Sequence, residues 1–125
     1  MASRQNRPQL PGPESFLPLH RDTFQILVSL ADQDRHGYAV MRAVLERTDG
    51  ALRLSPSSLY AAIRRLLENS LIEELAERTD PEHDDERRRY YRLTKLGRAV
   101  ATAEARRLER LLADARATGL LPRRT

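Results

Sequence analysis

Residues 55–97 carry the pattern that most restricts the fold of this chain: one helix, two short strands and a further helix. The first of these helices starts at a Ser-Pro pair and carries Arg64 and Arg65, and the second strand follows a run of arginines. A helix and a neighbouring hairpin that both carry arginines suit two contacts with DNA, one in the major groove and one on the flanking backbone. The pattern therefore predicts a mainly α fold with a two-stranded β-wing, the winged helix-turn-helix.

The size and composition of the chain indicate one soluble globular domain with tails. It has 125 residues, of which 40% are apolar and 32% are charged. We find neither an apolar run of membrane-spanning length nor the apolar stretch of a secretory signal near the start, so we expect no membrane partner. The absence of cysteine excludes a disulfide framework and thiolate metal or redox sites, which fits a cytoplasmic protein.

The charge of the chain favours nucleic-acid binding only through the positions of its arginines. The net charge is +4, and 21 of the 22 basic residues are arginine, a skew typical of a GC-rich genome. Between residues 53 and 98, ten basic side chains accompany nine acidic ones. The expected DNA contacts thus depend on where the arginines lie and not on how many there are.

Apolar spacing predicts three helices before the strands. The first covers residues 18–31, the second covers residues 37–48, and the third begins near Ser57. Asn69 or Ser70 must end the third helix, and Asn tolerates the left-handed conformation better. The inward stripe of the first helix is Phe24, Leu27, Val28 and Ala31, and that of the third is Leu59, Ala62, Ile63 and Leu66. The exposed face of the third helix then carries Ser57, Ser58, Tyr60, Ala61, Arg64, Arg65 and Glu68.

The second half of the chain is predicted to form the wing and a long last helix. Strands over residues 71–78 and 88–93 flank a polar loop, with Tyr91 and Leu93 on one face of the second strand. Thr94 can cap a helix over residues 95–117, which spans about 35 Å at 1.5 Å per residue. That is longer than a small core requires, so its apolar stripe predicts a seam with a second copy of the chain. The predicted seam residues are Val100, Ala101, Ala105, Leu108, Leu111, Leu112 and Ala115.

These elements divide the chain into four segments. We expect a flexible N-terminal arm over residues 1–17, a DNA-binding domain over 18–94, a dimerisation helix over 95–118 and a tail over 119–125. Arg4 and Arg7 in the arm are suited to following the DNA backbone, although an inert tail is the simpler interpretation.

Four motifs in order resemble one family, the short PadR-like transcriptional regulators. The resemblance covers roughly residues 19–112 and is carried by His36-Gly37-Tyr38, by Ser55-Pro56-Ser57-Ser58-Leu59-Tyr60 with Arg64-Arg65-Leu66, by Leu71-Ile72-Glu73, and by Arg88-Arg89-Tyr90-Tyr91-Arg92-Leu93-Thr94 with Gly97. It implies a homodimer, joined mainly through the last helix and the first, that binds a roughly palindromic operator on double-stranded DNA, usually as a repressor. It also implies relief of repression by a small aromatic effector.

Three departures from the family pattern bear on this chain. Ser57-Ser58 stands where the family usually has Gly-Thr, and still supplies a capping hydroxyl. Ser70 stands where the family usually has glycine, so the helix end must use Asn69 or accept strain. The chain has no tryptophan, and relatives that hold flat drugs between tryptophans are therefore poor guides to its effector.

The candidate DNA contacts lie on three elements. They are Ser57, Ser58, Tyr60, Ala61, Arg64 and Arg65 on the third helix, Tyr38 on the second helix, and Arg87, Arg88 and Arg89 at the base of the wing. Arginine can bond guanine bidentately, and hydroxyls bond phosphates. The alternatives remain open: the serines only cap the helix, the tyrosines only pack, and the arginine run neutralises the acidic residues 84–86.

We expect the protein to bind no cofactor and no metal ion, and to have no enzymatic activity. His20, His36 and His83 fall in unrelated segments, and His36 is expected to bond locally at a helix start. The loop 82–86 has acidic and histidine side chains, but hydrophilic loops of this kind are common. The runner-up function is a winged-helix protein–protein interaction module without DNA binding, which the near-neutral charge between residues 53 and 98 favours slightly.

Overall fold

The computed structural model describes residues 12–75 and 89–123 of the chain, which form a winged helix-turn-helix. The elements are a 3-10 helix Pro13–Phe16, α1 Arg21–Ser29, β1 Arg35–His36, α2 Gly37–Arg47, α3 Pro56–Glu68, β2 Ile72–Leu75, β3 Tyr90–Leu93 and α4 Lys95–Ala117. The predicted order of helices and wing strands is confirmed. Within the described residues, no helix has the length and apolar character needed to span a membrane.

Side-chain caps fix where the four α-helices begin. The N–H of Ala39 donates to His36 Nδ1 at 3.0 Å, and the N–H of Ser58 donates to Ser55 Oγ at 3.1 Å. His20 caps α1 and Thr94 caps α4 in the same manner. Each cap satisfies one of the N–H groups that a helix start leaves unpaired, so a short sequence signal sets the boundary. The expected local role of His36 is confirmed.

The wing belongs to a three-stranded antiparallel sheet with the order β1-β3-β2. In β3, Tyr91 is buried and Arg92 is exposed, as the alternation predicted. The strand that the sequence did not predict is β1, which lies in the stretch that was expected to be a connection. It pairs Arg35 with Tyr91 and His36 with Tyr90, and the rings of His36 and Tyr90 meet edge to face at 5.4 Å. Two residues show no period of their own, so only the partner strand defines this element.

The core lies between the first three helices, the base of the wing and the N-terminal part of α4. Its fully buried side chains include Ile26, Leu27, Val40, Val44, Leu59, Leu71 and Val100. The predicted stripe of α3 is confirmed, whereas that of α1 is rotated. Ile26, Leu27 and Leu30 point into the core, and Phe24, Val28 and Ala31 line a groove between α1 and α4. The sequence could not separate these two apolar faces because both follow a helical period.

The described part of the segment before α1 begins at Gly12. The predicted arm reached residue 17, but Phe16 and Leu17 already pack against the core, and the 3-10 helix lies along α4. The partial burial of these two apolar side chains holds the Pro-rich end of the segment against the domain. Arg4 and Arg7 lie outside the described residues.

The junction between α3 and β2 is locked to the first turn of α4. Ser70 follows the helix with φ +60°, so the serine takes the left-handed position and Asn69 does not. Thr94 Oγ1 donates to the Ser70 carbonyl at 2.6 Å, and the Thr94 N–H donates to the Leu71 carbonyl at 3.1 Å. A Cβ at Gly97 would overlap the Leu71 carbonyl. We call these contacts among Ser70, Leu71, Thr94 and Gly97 the α3–α4 clamp.

Candidate nucleic-acid interface

One face of α3 is exposed along its whole length while the opposite face lies in the core. Ser57, Ser58, Arg64 and Arg65 are exposed and Ala61 is half-buried. Ser55 Oγ accepts the Ser58 N–H and donates to Ser58 Oγ at 3.0 Å, so the cap also organises the hydroxyls of the first turn. These five predicted residues share the accessible face, and the structure brings them together as expected.

Tyr60 does not belong to this face, and the prediction that it is exposed is wrong. It is only 9% exposed, and its ring packs against α2 at Gly37, where an added Cβ would come within 2.8 Å of the ring. The absent side chain at Gly37 creates the space that the ring fills. Tyr60 therefore packs between α2 and α3, which is the role that the alternative interpretation had kept open.

Tyr38 follows Gly37 in the first turn of α2 and is 48% exposed. Its neighbour Gly37 contacts the Tyr60 ring, so Tyr38 is accessible close to the part of α3 that carries Tyr60. Its exposure fits the predicted backbone contact, which stays a prediction.

The wing pairs its arginines with glutamates of β2. Arg92 Nε lies 2.7 Å from Glu73 Oε1, and Arg89 Nε lies 3.4 Å from Glu74 Oε1. Arg89 thus has an acidic partner on β2, and residues 84–86, with which the alternative interpretation paired the arginine run, lie outside the described residues. Arg87, Arg88, the acidic loop and its candidate metal ligands lie outside the described residues. No group of three His, Asp or Glu side chains in the described part is arranged to hold a metal ion.

The predicted seam on α4 divides into a buried and an exposed part. Val100 is 0% exposed and belongs to the core, so its assignment to a dimer interface is wrong, and Ala101 packs partly against the same core. Further along, Leu111 is 56% and Leu112 is 46% exposed. Ala105, Leu108 and Leu112 line a mainly apolar groove of about 290 Å³ against Phe24 of α1, and the charged residues Glu109 and Arg116 line it as well. The apolar stripe therefore continues beyond the end of the core.

One ion pair on α4, between the buried Glu104 and the partly exposed Arg107, was not predicted. Glu104 is buried, and its two carboxylate oxygens each accept from Arg107 at 2.7 Å. The Arg107 hydrogen bonds, followed by a backbone hydrogen bond from Leu19, hold the pKa of Glu104 below its usual value against the opposing effect of burial. The i, i+3 spacing of opposite charges was the only sequence signal for the pair, and it does not distinguish buried from exposed pairs.

The chain matches a family model and a known relative over more than half of its length. Residues 26–103, more than half of the chain, match the model of the transcriptional regulator PadR-like family. An uncharacterized protein X of Lysinibacillus sphaericus is 32% identical over 80 residues, which are 64% of this chain and 70% of that protein.

Two solved structures share the fold. A transcriptional regulator from Clostridium thermocellum is 24% identical with a TM-score of 0.63, covering 80% of this chain and 90% of that one. A PadR family transcription regulator from Clostridium difficile is 20% identical with a TM-score of 0.64, covering 82% of this chain and 100% of that one.

Proposed function

Because the chain belongs to the PadR-like family of transcriptional regulators, we propose that it binds double-stranded DNA sequence-specifically as a homodimer. The observation that carries the proposal is the exposed face of α3, where Arg64 and Arg65 stand on a helix held by the core on its other side. An α-helix fits the major groove of B-DNA, and the arginine fork matches the O6 and N7 acceptors of guanine.

The dimer is proposed through α4, together with α1. Leu108, Leu111, Leu112 and Ala115 extend the apolar stripe past the core, and Phe24 of α1 borders it. Exposed leucines in a row are costly in water, and their burial contributes about 25 cal/mol per Å². A two-fold pair would set two α3 helices at the separation of successive major grooves, about 34–36 Å.

We further propose that the protein represses transcription and that a small aromatic effector relieves repression. The groove that Phe24 forms with Ala105, Leu108 and Leu112 is mainly apolar and lies at the proposed seam, so a bound aromatic ring would favour one crossing angle of the two protomers over another. The operator affinity would fall because the half-site spacing no longer fits. Titration with phenolic acids in the presence of operator DNA tests this step, and unchanged affinity across the series argues against it.

The DNA-binding proposal is tested by fluorescence anisotropy on a duplex recovered by selection from random sequences. We expect salt-dependent binding that the double substitution Arg64→Ala plus Arg65→Ala abolishes. Arg106→Ala plus Arg110→Ala is the matched control, because both arginines are exposed on the side of α4 that faces Pro13 and Glu14, and their loss also removes two positive charges per chain. Unchanged binding by the double variant would contradict the proposal.

A protein–protein interaction module is the second candidate. The pairing of Arg89 and Arg92 with glutamates of β2 favours it, since these wing arginines already have acidic neighbours. Ionic strength separates the two functions, because binding to DNA phosphates weakens steeply with salt and a protein interface need not.

A further inference from the structure

A cleft of about 230 Å³ lies between the start of α1 and the exposed face of α3. His20 and Thr23 line it from the α1 side, and Ser58, Ala61 and Arg65 line it from α3. We call it the α1–α3 cleft. It is smaller than the pockets of about 300–1,000 Å³ that bind drug-sized ligands. It therefore suits a small group presented by a larger partner.

We infer that the α1–α3 cleft holds one phosphate of the DNA backbone, so that Arg65 supplies affinity and register but not sequence discrimination. This inference rests on the proposed function. It assigns different tasks to two neighbouring arginines that the sequence could not tell apart.

The charge of the cleft favours an anion. Arg65 is exposed, and within residues 12–75 and 89–123 it forms no ion pair with a carboxylate. Asp22 is the acidic residue of the cleft wall, and its Oδ1 lies 3.2 Å from Arg21 Nε. The cleft and its border thus combine two guanidinium groups with one carboxylate, which leaves a positive balance.

The Ser58 hydroxyl, one of two hydroxyls in the cleft, has its hydrogen available for a ligand. Ser55 Oγ donates to Ser58 Oγ at 3.0 Å, and Ser58 accepts, so the hydrogen of Ser58 can turn to a further acceptor. Phosphate oxygens are acceptors only, and arginine and serine side chains are among their usual donors in protein–DNA interfaces. The donors of the cleft therefore complement a phosphate. Guanine also presents acceptors, so the position of Arg65 on α3 must distinguish the two contacts.

The packing of α3 separates the two arginines. Arg64 follows Tyr60 by one helical turn, on the side of α3 that packs against α2, whereas Arg65 lines the cleft on the side of α1. Successive residues project 100° apart around a helix. With α3 in a groove, a side chain at the α1 edge meets the strand that borders the groove, where the phosphates lie.

The test compares wild type, Arg65→Ala, Arg65→Lys and the control Arg106→Ala on the selected duplex and on its single-base-pair variants. Arg65→Ala should weaken binding to every duplex alike and lower the slope of log affinity against log salt by about one per protomer. The ratio of affinities between the selected duplex and its variants should stay within about twofold. Arg65→Lys should restore the slope, since a point charge suffices for a phosphate.

The inference fails if Arg65→Ala changes that ratio by about fivefold or more at any base pair, which is the mark of a base contact. It also fails if the salt slope is unchanged while wild type binds normally, and the proposed function then stands. If wild type shows no salt-dependent binding to any duplex, the proposed function fails first. Circular dichroism checks that each variant is folded, which we expect because the substituted positions are exposed.

Discussion

Replacing Gly97 by alanine is expected to open the α3–α4 clamp. A Cβ at this position would lie 2.8 Å from the carbonyl carbon of Leu71 and closer still to its oxygen. Both atoms belong to the backbone, so the overlap is relieved only by moving the first turn of α4 away from the end of α3. That movement breaks the two hydrogen bonds that Thr94 donates to Ser70 and Leu71.

The magnitude follows from these contacts. Two lost hydrogen bonds cost about 1–3 kcal/mol, and the strain of overpacking adds about 1–3 kcal/mol. Alanine is the better helix former by about 1 kcal/mol, which offsets part of the loss. The free energy of unfolding should fall by about 1–5 kcal/mol, and 3 kcal/mol corresponds to roughly 10 °C in Tm for a domain of this size.

Thermal unfolding followed by circular dichroism measures the effect, and Gly37→Ala provides the comparison. At Gly37 the new Cβ meets the Tyr60 ring at 2.8 Å, and a side chain can adjust where a backbone cannot. We expect the loss at Gly97 to be the larger of the two. A Gly97→Ala protein that melts within about 2 °C of wild type would refute the reasoning.

Three further results are expected. Ser70→Gly should raise the free energy of unfolding by about 0.5–1 kcal/mol by relieving the left-handed strain, whereas Ser70→Ala should bring no gain; equal melting temperatures for the two would contradict this. The pKa of Glu104 in the folded protein lies below its unfolded value near 4.5. The contribution of Glu104 to the free energy of unfolding is therefore present above pH 4.5 and is lost as the pH falls through the folded pKa. Glu104→Gln should remove this loss from the profile of unfolding free energy against pH, measured by urea unfolding. Leu112→Glu should give a monomer in sedimentation velocity while Leu120→Glu, outside the helix, keeps the dimer; a dimeric Leu112→Glu protein would count against the proposed seam.

Local signals made most of the fold predictable. The starts of α2, α3 and α4 follow from His36, Ser55 and Thr94, because a capping side chain acts on N–H groups two or three residues away. The stripe of α3 was predicted because its period is regular over the whole helix. The same stripe gave the candidate interface, since Ser57, Ser58, Arg64 and Arg65 are what remain on the other face.

The misassigned residues depend on contacts between distant segments. Tyr60 lies at the edge of the α3 stripe, and its burial is decided by the missing side chain of Gly37 on another helix. Val100 and Leu112 share one apolar stripe, and only the packed fold shows where the core ends along it. The two-residue strand β1 and the packing of Phe16 likewise follow from partners elsewhere in the chain.

The contacts of the α3–α4 clamp hold the two helices together, so that they would move as one rigid body. In a homodimer joined through α4, a change in the crossing angle at the seam would therefore move the exposed end of α3 as well. For an arm of about 35 Å, a tilt of about 5° displaces its end by about 3 Å. That is close to the rise of one base pair, about 3.4 Å, so a few degrees at the seam would put both tips out of step with the duplex.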